Sequence, residues 1–182
     1  MTEKIILGID PGTTIMGYGL IRVKDKQMHL IALGVLDLRK QTGHFRKIRL
    51  IFQRTLMLVD EFCPDELAIE APFFGENIQS MLKLGRAQGA AISAALSRDL
   101  PIFEYAPRKI KQSITGQGSA SKEQVANILQ KLLNIPEIPD NLDATDGLAA
   151  AVCHYFQGSP QSEETKDNDW KTYIRKHPGR IR

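Results

Sequence analysis

The chain is short of nearly everything that would narrow its class by composition alone. It has two cysteines among 182 residues, Cys63 and Cys153, in neither a metal-ligand spacing nor a disulfide framework. Both read as packing residues of a protein kept in a reducing compartment. No apolar run nears the roughly 20 residues that span a bilayer. Met1-Thr2-Glu3-Lys4 passes straight into a strand-like run, without the layout of a signal peptide, so the expected location is cytoplasmic. There is no internal repeat, and a net charge of +3 is too small to identify a polyanionic partner by itself. What remains is ordinary for a globular chain. Hydrophobic residues make up 42% and charged residues 25%, enough for one domain with a substantial core.

Charge says more by where it falls. From Pro107 to Asn134, Arg108, Lys109, Lys111, Lys122 and Lys131 stand against a single acid, Glu123, a local excess of +4. Such runs are most often solvated helix faces. This one reads as a surface for an anionic polymer only in combination with the acids described below.

Hydropathy periods set the order of elements. Lys4 to Asp10 is a nearly continuous aliphatic run, as expected of a strand buried on both faces. Gly17–Lys24 and Met28–Leu38 follow with short polar connections, predicting an antiparallel three-stranded meander. His44–Phe62 changes to a helical period and ends at Pro64. Glu66–Glu70 is a fourth strand and Asn77–Ser97 a second long helix. Gly85, Gly89 and Ser93 recur every four residues on that helix. Glycine costs a helix about 1 kcal/mol relative to alanine, so the row predicts close approach of another backbone, the sheet's or a second subunit's. Pro101–Tyr105 is a fifth strand, followed by helices over Pro107–Ile114, Ser121–Leu133 and Asp143–Phe156. Ser121-Lys-Glu-Gln124 fits a capping box. Beyond Gly158-Ser-Pro160 the composition turns polar and then basic. The predicted organisation is one folded domain over 1–157 and a polar, basic tail over 158–182. The fold class is α/β, a mixed five-stranded sheet flanked by helices, with its first three strands antiparallel.

Four carboxylates occupy the positions that such a topology would bring together. Asp10 and Glu70 end the first and fourth strands, side by side if those strands are parallel neighbours; Asp143 and Asp146 stand three apart at the start of the last helix. An i, i+3 pair points one way from a helical turn, with Cβ atoms roughly 5–6 Å apart. Each acid also has a bland role. Asp143 would serve as an N-cap, Asp146 as a first-turn acid, Asp10 as a turn former before Pro11-Gly12, and Glu70 as a solvated strand end. Singly those roles are the commoner ones. Together the acids favour a site, because buried strands rarely end in charge without a reason. Hard oxygen donors select Mg²⁺ or Mn²⁺ over zinc. Four of them suit two ions roughly 3.5–4 Å apart, the arrangement that serves in-line phosphoryl transfer.

The motifs around these acids resemble a known family. Gly8-Ile-Asp-Pro-Gly-Thr13 with Gly17-Tyr-Gly19, Ala68-Ile-Glu70, Leu84-Gly85 with Gln88-Gly89, Phe103-Glu-Tyr105 with Lys111-Gln112, and Asp143-Ala-Thr-Asp146-Gly-Leu-Ala149 resemble, in order, the motifs of the RuvC family of bacterial Holliday junction resolvases. The resemblance runs from about Lys4 to His154. It implies a ribonuclease H-like nuclease domain, and a homodimeric, Mg²⁺-dependent endonuclease (Mn²⁺ able to substitute) acting in DNA recombination and repair. Such an enzyme nicks two opposed strands of a four-way DNA junction, leaving 5′-phosphate and 3′-hydroxyl ends, by a two-metal-ion hydrolysis. By motif position Asp10, Glu70, Asp143 and Asp146 take the places of the metal-binding catalytic acids, with two ions expected per site. Lys111 and Lys122 fall where the family has basic residues near the cleaved strand, and Arg108 and Lys109 extend that DNA-binding stretch. Phe73, three residues after Glu70, falls where an aromatic stacks on a junction base; its bland role is a core phenylalanine beside Phe74. Family resemblance further suggests cooperation with a RuvA–RuvB branch-migration complex.

Three rival readings are separable. Gly8-Ile-Asp-Pro-Gly-Thr13-Thr14 is similar to the first phosphate loop of actin-like kinases and chaperones, but two such domains need about twice this length. Another ribonuclease H-like nuclease would cut RNA–DNA hybrid or simple duplex. A junction-binding protein without cleavage would not need all four acids.

Overall fold

The computed structural model describes residues 3–72, 77–137, 139 and 141–158. Strands β1 (Lys4–Asp10), β2 (Ile15–Lys24) and β3 (Gln27–Asp37) form the predicted antiparallel meander. Helix α1 (His44–Phe62), strand β4 (Glu66–Glu70), helix α2 (Ile78–Leu96) and strand β5 (Ile102–Tyr105) follow. Helices α3 (Pro107–Thr115), α4 (Lys122–Leu133) and α5 (Asp143–Gln157) complete the described order. The strands lie in the order β3-β2-β1-β4-β5, with β4 parallel to both β1 and β5. The sequence-based element order holds throughout, and boundaries move by a residue or two, as helix and strand ends usually do.

Alternation along the strands divides the core into two layers. Leu7, Ile9, Tyr18, Leu20, Leu67 and Ile69 face α1 and α2. Ile6, Ile21, Ala68, Phe103 and Tyr105 face α3, α4 and α5. Because β1 and β4 run in parallel and Ile9 pairs with Ile69, the next residues, Asp10 and Glu70, leave the sheet at the same edge.

Helix α5 lies unusually close to the strands. Gly8 and Gly19 pair across β1 and β2 on the face that α5 covers. A Cβ added at Gly8 would stand 2.1 Å from the Gly147 carbonyl oxygen, and one at Gly17 would stand 1.9 Å from that of Asp143. No side chain fits there. Within this chain the close backbone approach is made by α5. Among the described residues an added Cβ at Gly85 or Gly89 meets nothing within 4 Å, so the sheet is not the partner of that row. The α2 helix turns its alanines inward, with Ala87, Ala91, Ala94 and Ala95 wholly buried.

Two local expectations need correction. Cys153 is buried as a packing residue should be, but Cys63 is exposed. It closes α1 in the left-handed conformation (φ 45°), its N–H bonded to the Val59 carbonyl at 2.9 Å. Asp143 is not an N-cap. That position belongs to Leu142, and the Asp143 N–H donates to Asn141 Oδ1 at 3.0 Å. The capping box at Ser121 is present, with Gln124 N–H donating to Ser121 Oγ at 3.3 Å and Ser121 N–H to Gln124 Oε1 at 2.8 Å. No described helix is long and apolar enough to cross a membrane.

Candidate active site

The four predicted acids converge. Asp10 arrives at the end of β1, Glu70 at the end of β4, and Asp143 and Asp146 in the first turn of α5. The flush packing of α5 on Gly8, Gly17 and Gly19 is what lets its first turn reach the strand ends. Because Asn141 caps Asp143 N–H, the Asp143 carboxylate is free of a capping role. Its side chain keeps 31% exposure and that of Asp146 only 16%.

The electrostatics describe a crowded anionic centre. Burial drives the Asp10 carboxyl well above its ordinary pKa, and the charges of Glu70, Asp146 and Asp143 push the same way. Glu70 is pushed up to about 7, first by burial and then by Asp146, with Lys122 and Lys111 opposing. Burial also raises Asp146, against the hydrogen bond from Lys122. Lys122 Nζ spans the helical pair, 2.8 Å from Asp143 Oδ1 and 2.5 Å from Asp146 Oδ2. Burial pulls Lys122 down, but those two bonds win and hold it above its usual value. One ammonium cannot neutralise four carboxylates.

Among the described residues no three or more His, Cys, Asp or Glu side chains are placed so as to hold a metal ion together. The chemistry of the four acids nevertheless fits a hard divalent cation, since buried oxygen anions forced to share protons are relieved by one. An open set also suits Mg²⁺, which is usually held by one or two carboxylates together with substrate phosphate.

The other predicted residues divide. Lys111 and Lys122 both act electrostatically on Glu70 and Asp146. Arg108 and Lys109 are exposed and turned elsewhere: the Arg108 stem lies against Gly118, and the Lys109 charge acts on the Cys153 thiol. Phe73 lies outside the described residues. Two residues were missed. Arg39 forks Asp37 at 2.6–3.1 Å just past β3 and is close enough to feel the Asp143 charge. Lys47 donates to the Thr13 carbonyl at 2.9 Å, tying α1 to the loop that follows Asp10. The run Asp37-x-Arg39 at a strand end was a usable signal for the first. Nothing local marks Lys47 among the other bases of α1.

A mixed sheet with carboxylates at adjacent parallel strand ends and at a helix start defines the class: a ribonuclease H-like nuclease. The chain belongs to the RuvC family, since the model of crossover junction endodeoxyribonuclease RuvC matches residues 6–154. It is 58% identical to the enzyme of that name from Christiangramia forsetii over 181 residues, covering 100% of this chain and 94% of the relative. It is likewise 58% identical to that from Bacteroides fragilis over 182 residues, covering 99% and 97%. Among solved structures, Thermus thermophilus RuvC in complex with a Holliday junction substrate superposes with a TM-score of 0.78 at 32% identity, covering 85% and 94% of the two chains. The family is one of metal-dependent endonucleases, which sets aside the actin-like reading.

Proposed function

We propose that this chain resolves Holliday junctions by hydrolysing one phosphodiester in each of two opposed strands, with Asp10, Glu70, Asp143 and Asp146 holding the metal. Membership of the RuvC family supports the activity. The observation that carries the site is the mutual repulsion of four carboxylates delivered by three separate elements. Mg²⁺, or Mn²⁺ in its place, would supply Lewis-acid stabilisation of the attacking and leaving oxygens, and four acids suit two ions. The chain's own residues position and neutralise. Lys122, whose Nζ bonds Asp143 and Asp146, would place its positive charge beside the phosphate of the cleaved strand, and Lys111 would add a second. Lys47 ties α1 to the loop that follows Asp10, and Arg39, forked on Asp37, adds positive charge near Asp143. Products carry 5′-phosphate and 3′-hydroxyl ends, which makes the nicks ligatable. Phe73 is retained as the residue that stacks on an unpaired base, a contact worth about 1–3 kcal/mol.

A symmetric junction calls for two sites, and the exterior of α1 and α2 offers a face for a second copy. Gly85 and Gly89 stand open beside exposed Ile78 and Leu82. A groove of about 470 Å³ next to them is lined by Phe45, Ile48, Phe52 and Ser93. A second α2 laid on this glycine row is the close approach that the sequence pattern anticipates. Residues 1–157 are the nuclease domain in this reading and 158–182 its tail, in a cytoplasmic enzyme working with a RuvA–RuvB complex.

The test offers purified protein a synthetic four-way junction, linear duplex and RNA–DNA hybrid with Mg²⁺. Paired, ligatable nicks confined to the junction are expected. Hybrid-selective cutting, or binding without cleavage, would overturn the reading.

A further inference from the structure

Each element that carries a catalytic acid also carries, at its other end, one member of a second polar cluster. Strand β1 ends in Asp10 and begins with Lys4; β4 ends in Glu70 and begins with Glu66. Helix α5 begins with Asp143 and Asp146 and holds His154 in its last turn. His154 is fully buried, its ring 4.4 Å from that of Phe103. Its Nε2 lies 2.5 Å from Glu66 Oε2 and its Nδ1 2.6 Å from the Tyr105 hydroxyl. Lys4 Nζ pairs with the other oxygen of Glu66. With a neutral imidazole the set is satisfied when Nε2–H donates to the carboxylate, the Tyr105 hydroxyl donates to Nδ1, and Lys4 donates to Oε1. Burial keeps the Tyr105 hydroxyl well above its usual pKa, so it stays protonated. Tyr105 joins from β5, where its carbonyl accepts the N–H of Ala71, just past Glu70, at 2.9 Å.

The fold needs such a device for a physical reason. Ordinary helices find their register by setting side-chain ridges into grooves. Helix α5 meets β1 and β2 at Gly8, Gly17, Gly19 and Gly147, where Leu148 and Ala151 are the side chains set against the strand glycines. Directional hydrogen bonds at His154 add to these few side chains a constraint along the helix axis. A helix is a stiff rod, so a slip at His154 carries Asp146, eight positions away, by nearly the same distance.

We propose that Lys4, Glu66, His154 and Tyr105 form a register clamp. They are positioning residues that act through β1, β4 and α5 to set the spacing of Asp10, Glu70, Asp143 and Asp146. They touch no substrate. The inference rests on the four-acid reading of the site.

The experiment compares full-length Glu66→Gln and Tyr105→Phe with Leu58→Ala, a cavity in the opposite core layer. Each variant is assayed the same interval below its own Tm. Three quantities are read: junction Kd without metal, single-turnover cleavage rate against Mg²⁺ concentration, and the rise in Tm that Mn²⁺ alone produces. Glu66→Gln should keep Kd within about twofold while losing about tenfold or more in rate, the order expected when catalytic groups are misplaced by a fraction of an ångström. The Mg²⁺ concentration at half-maximal rate should increase, and the Mn²⁺-induced Tm rise should shrink. Tyr105→Phe should follow with a smaller effect, and Leu58→Ala should keep all three. Clamp variants that track Leu58→Ala in rate and metal response would overturn the proposal. If the wild type itself fails to cut junctions, the functional reading falls, and the Mn²⁺ shift still decides the clamp.

Discussion

At one end of β1, β4 and α5, Asp10, Glu70, Asp143 and Asp146 crowd together with Lys122 as the ammonium bonded to two of them. At the other end Glu66, His154, Tyr105 and Lys4 bond one another in a buried chain. Both clusters place ionisable groups in low-dielectric surroundings, and burial works to raise Asp10, Glu70 and Asp146 at one end and Glu66 at the other. The outcomes are opposite. Burial acts on Glu66 too, yet the hydrogen bonds of His154 and Lys4 hold its pKa below the ordinary glutamate value. Glu70, four residues along the same strand, is driven up to about 7. The difference teaches that burial does not decide whether charge stabilises a fold; the partners do. One end is satisfied within the chain and the other is left to be satisfied from outside.

That contrast can be broken most severely at the site. Asp146→Asn should abolish cleavage, a loss on the order of 10²–10³-fold or more, as when a transition-state stabiliser is removed. Junction binding by gel shift should persist, and loss of binding with the fold intact would make Asp146 chiefly a binding residue. At the satisfied end the large effect falls on stability instead. Glu66→Ala strips His154 and Lys4 of their shared anion and should cost about 3–5 kcal/mol, the range for breaking a buried pair. A Tm equal to wild type would show that the network contributes little.

The smallest expected effect has the opposite sign. Asp10→Asn removes one of four repelling charges and should stabilise the metal-free protein by about 0.5–2 kcal/mol, raising Tm by about 1–8 °C. The same repulsion has a pH signature. Glu70 binds its proton more tightly when folded, so its contribution is present below the unfolded carboxyl range and is lost as pH rises toward about 7. Glu66 is the reverse, contributing above that range and failing as pH falls through its lowered folded value. Metal-free protein should therefore lose stability from about pH 4.5 to 7, and Mg²⁺ should restore it at the upper end. A flat thermal-denaturation profile across that window, with and without Mg²⁺, would count against the crowded-acid description.

Much of this was legible in the residues. Aliphatic runs ending in Asp10 and Glu70, the change of period at His44, and Ser121-x-x-Gln124 each reflect interactions within a few residues, so they survive in one dimension. The four acids were legible for the same reason, each sitting at an element boundary. Other features required distance. Gly8, Gly17 and Gly19 looked like part of a turn-rich motif until α5, more than 120 positions later in the chain, was found lying on them. The glycine row of α2 pointed to close packing that the described residues do not provide. Glu66 and His154, 88 residues apart, carried no local mark of their bond. Lys47 was likewise an ordinary polar residue until the distant Thr13 carbonyl gave it a role, whereas Arg39 and Asn141 bond residues two positions away.

The sequence by itself determined the elements, their order and the identity of the four acids, because periodicity and capping are local and motifs are linear. Only the tertiary structure decided which charges face each other. Proton affinity depends on burial and on partners brought from distant positions, and these exist only once α5 has settled on the glycines of β1 and β2. Glu66 and Glu70 are the same amino acid on the same strand. Burial acts on both, and the hydrogen bonds of His154 and Lys4 outweigh it at Glu66 while the Asp146 charge adds to it at Glu70.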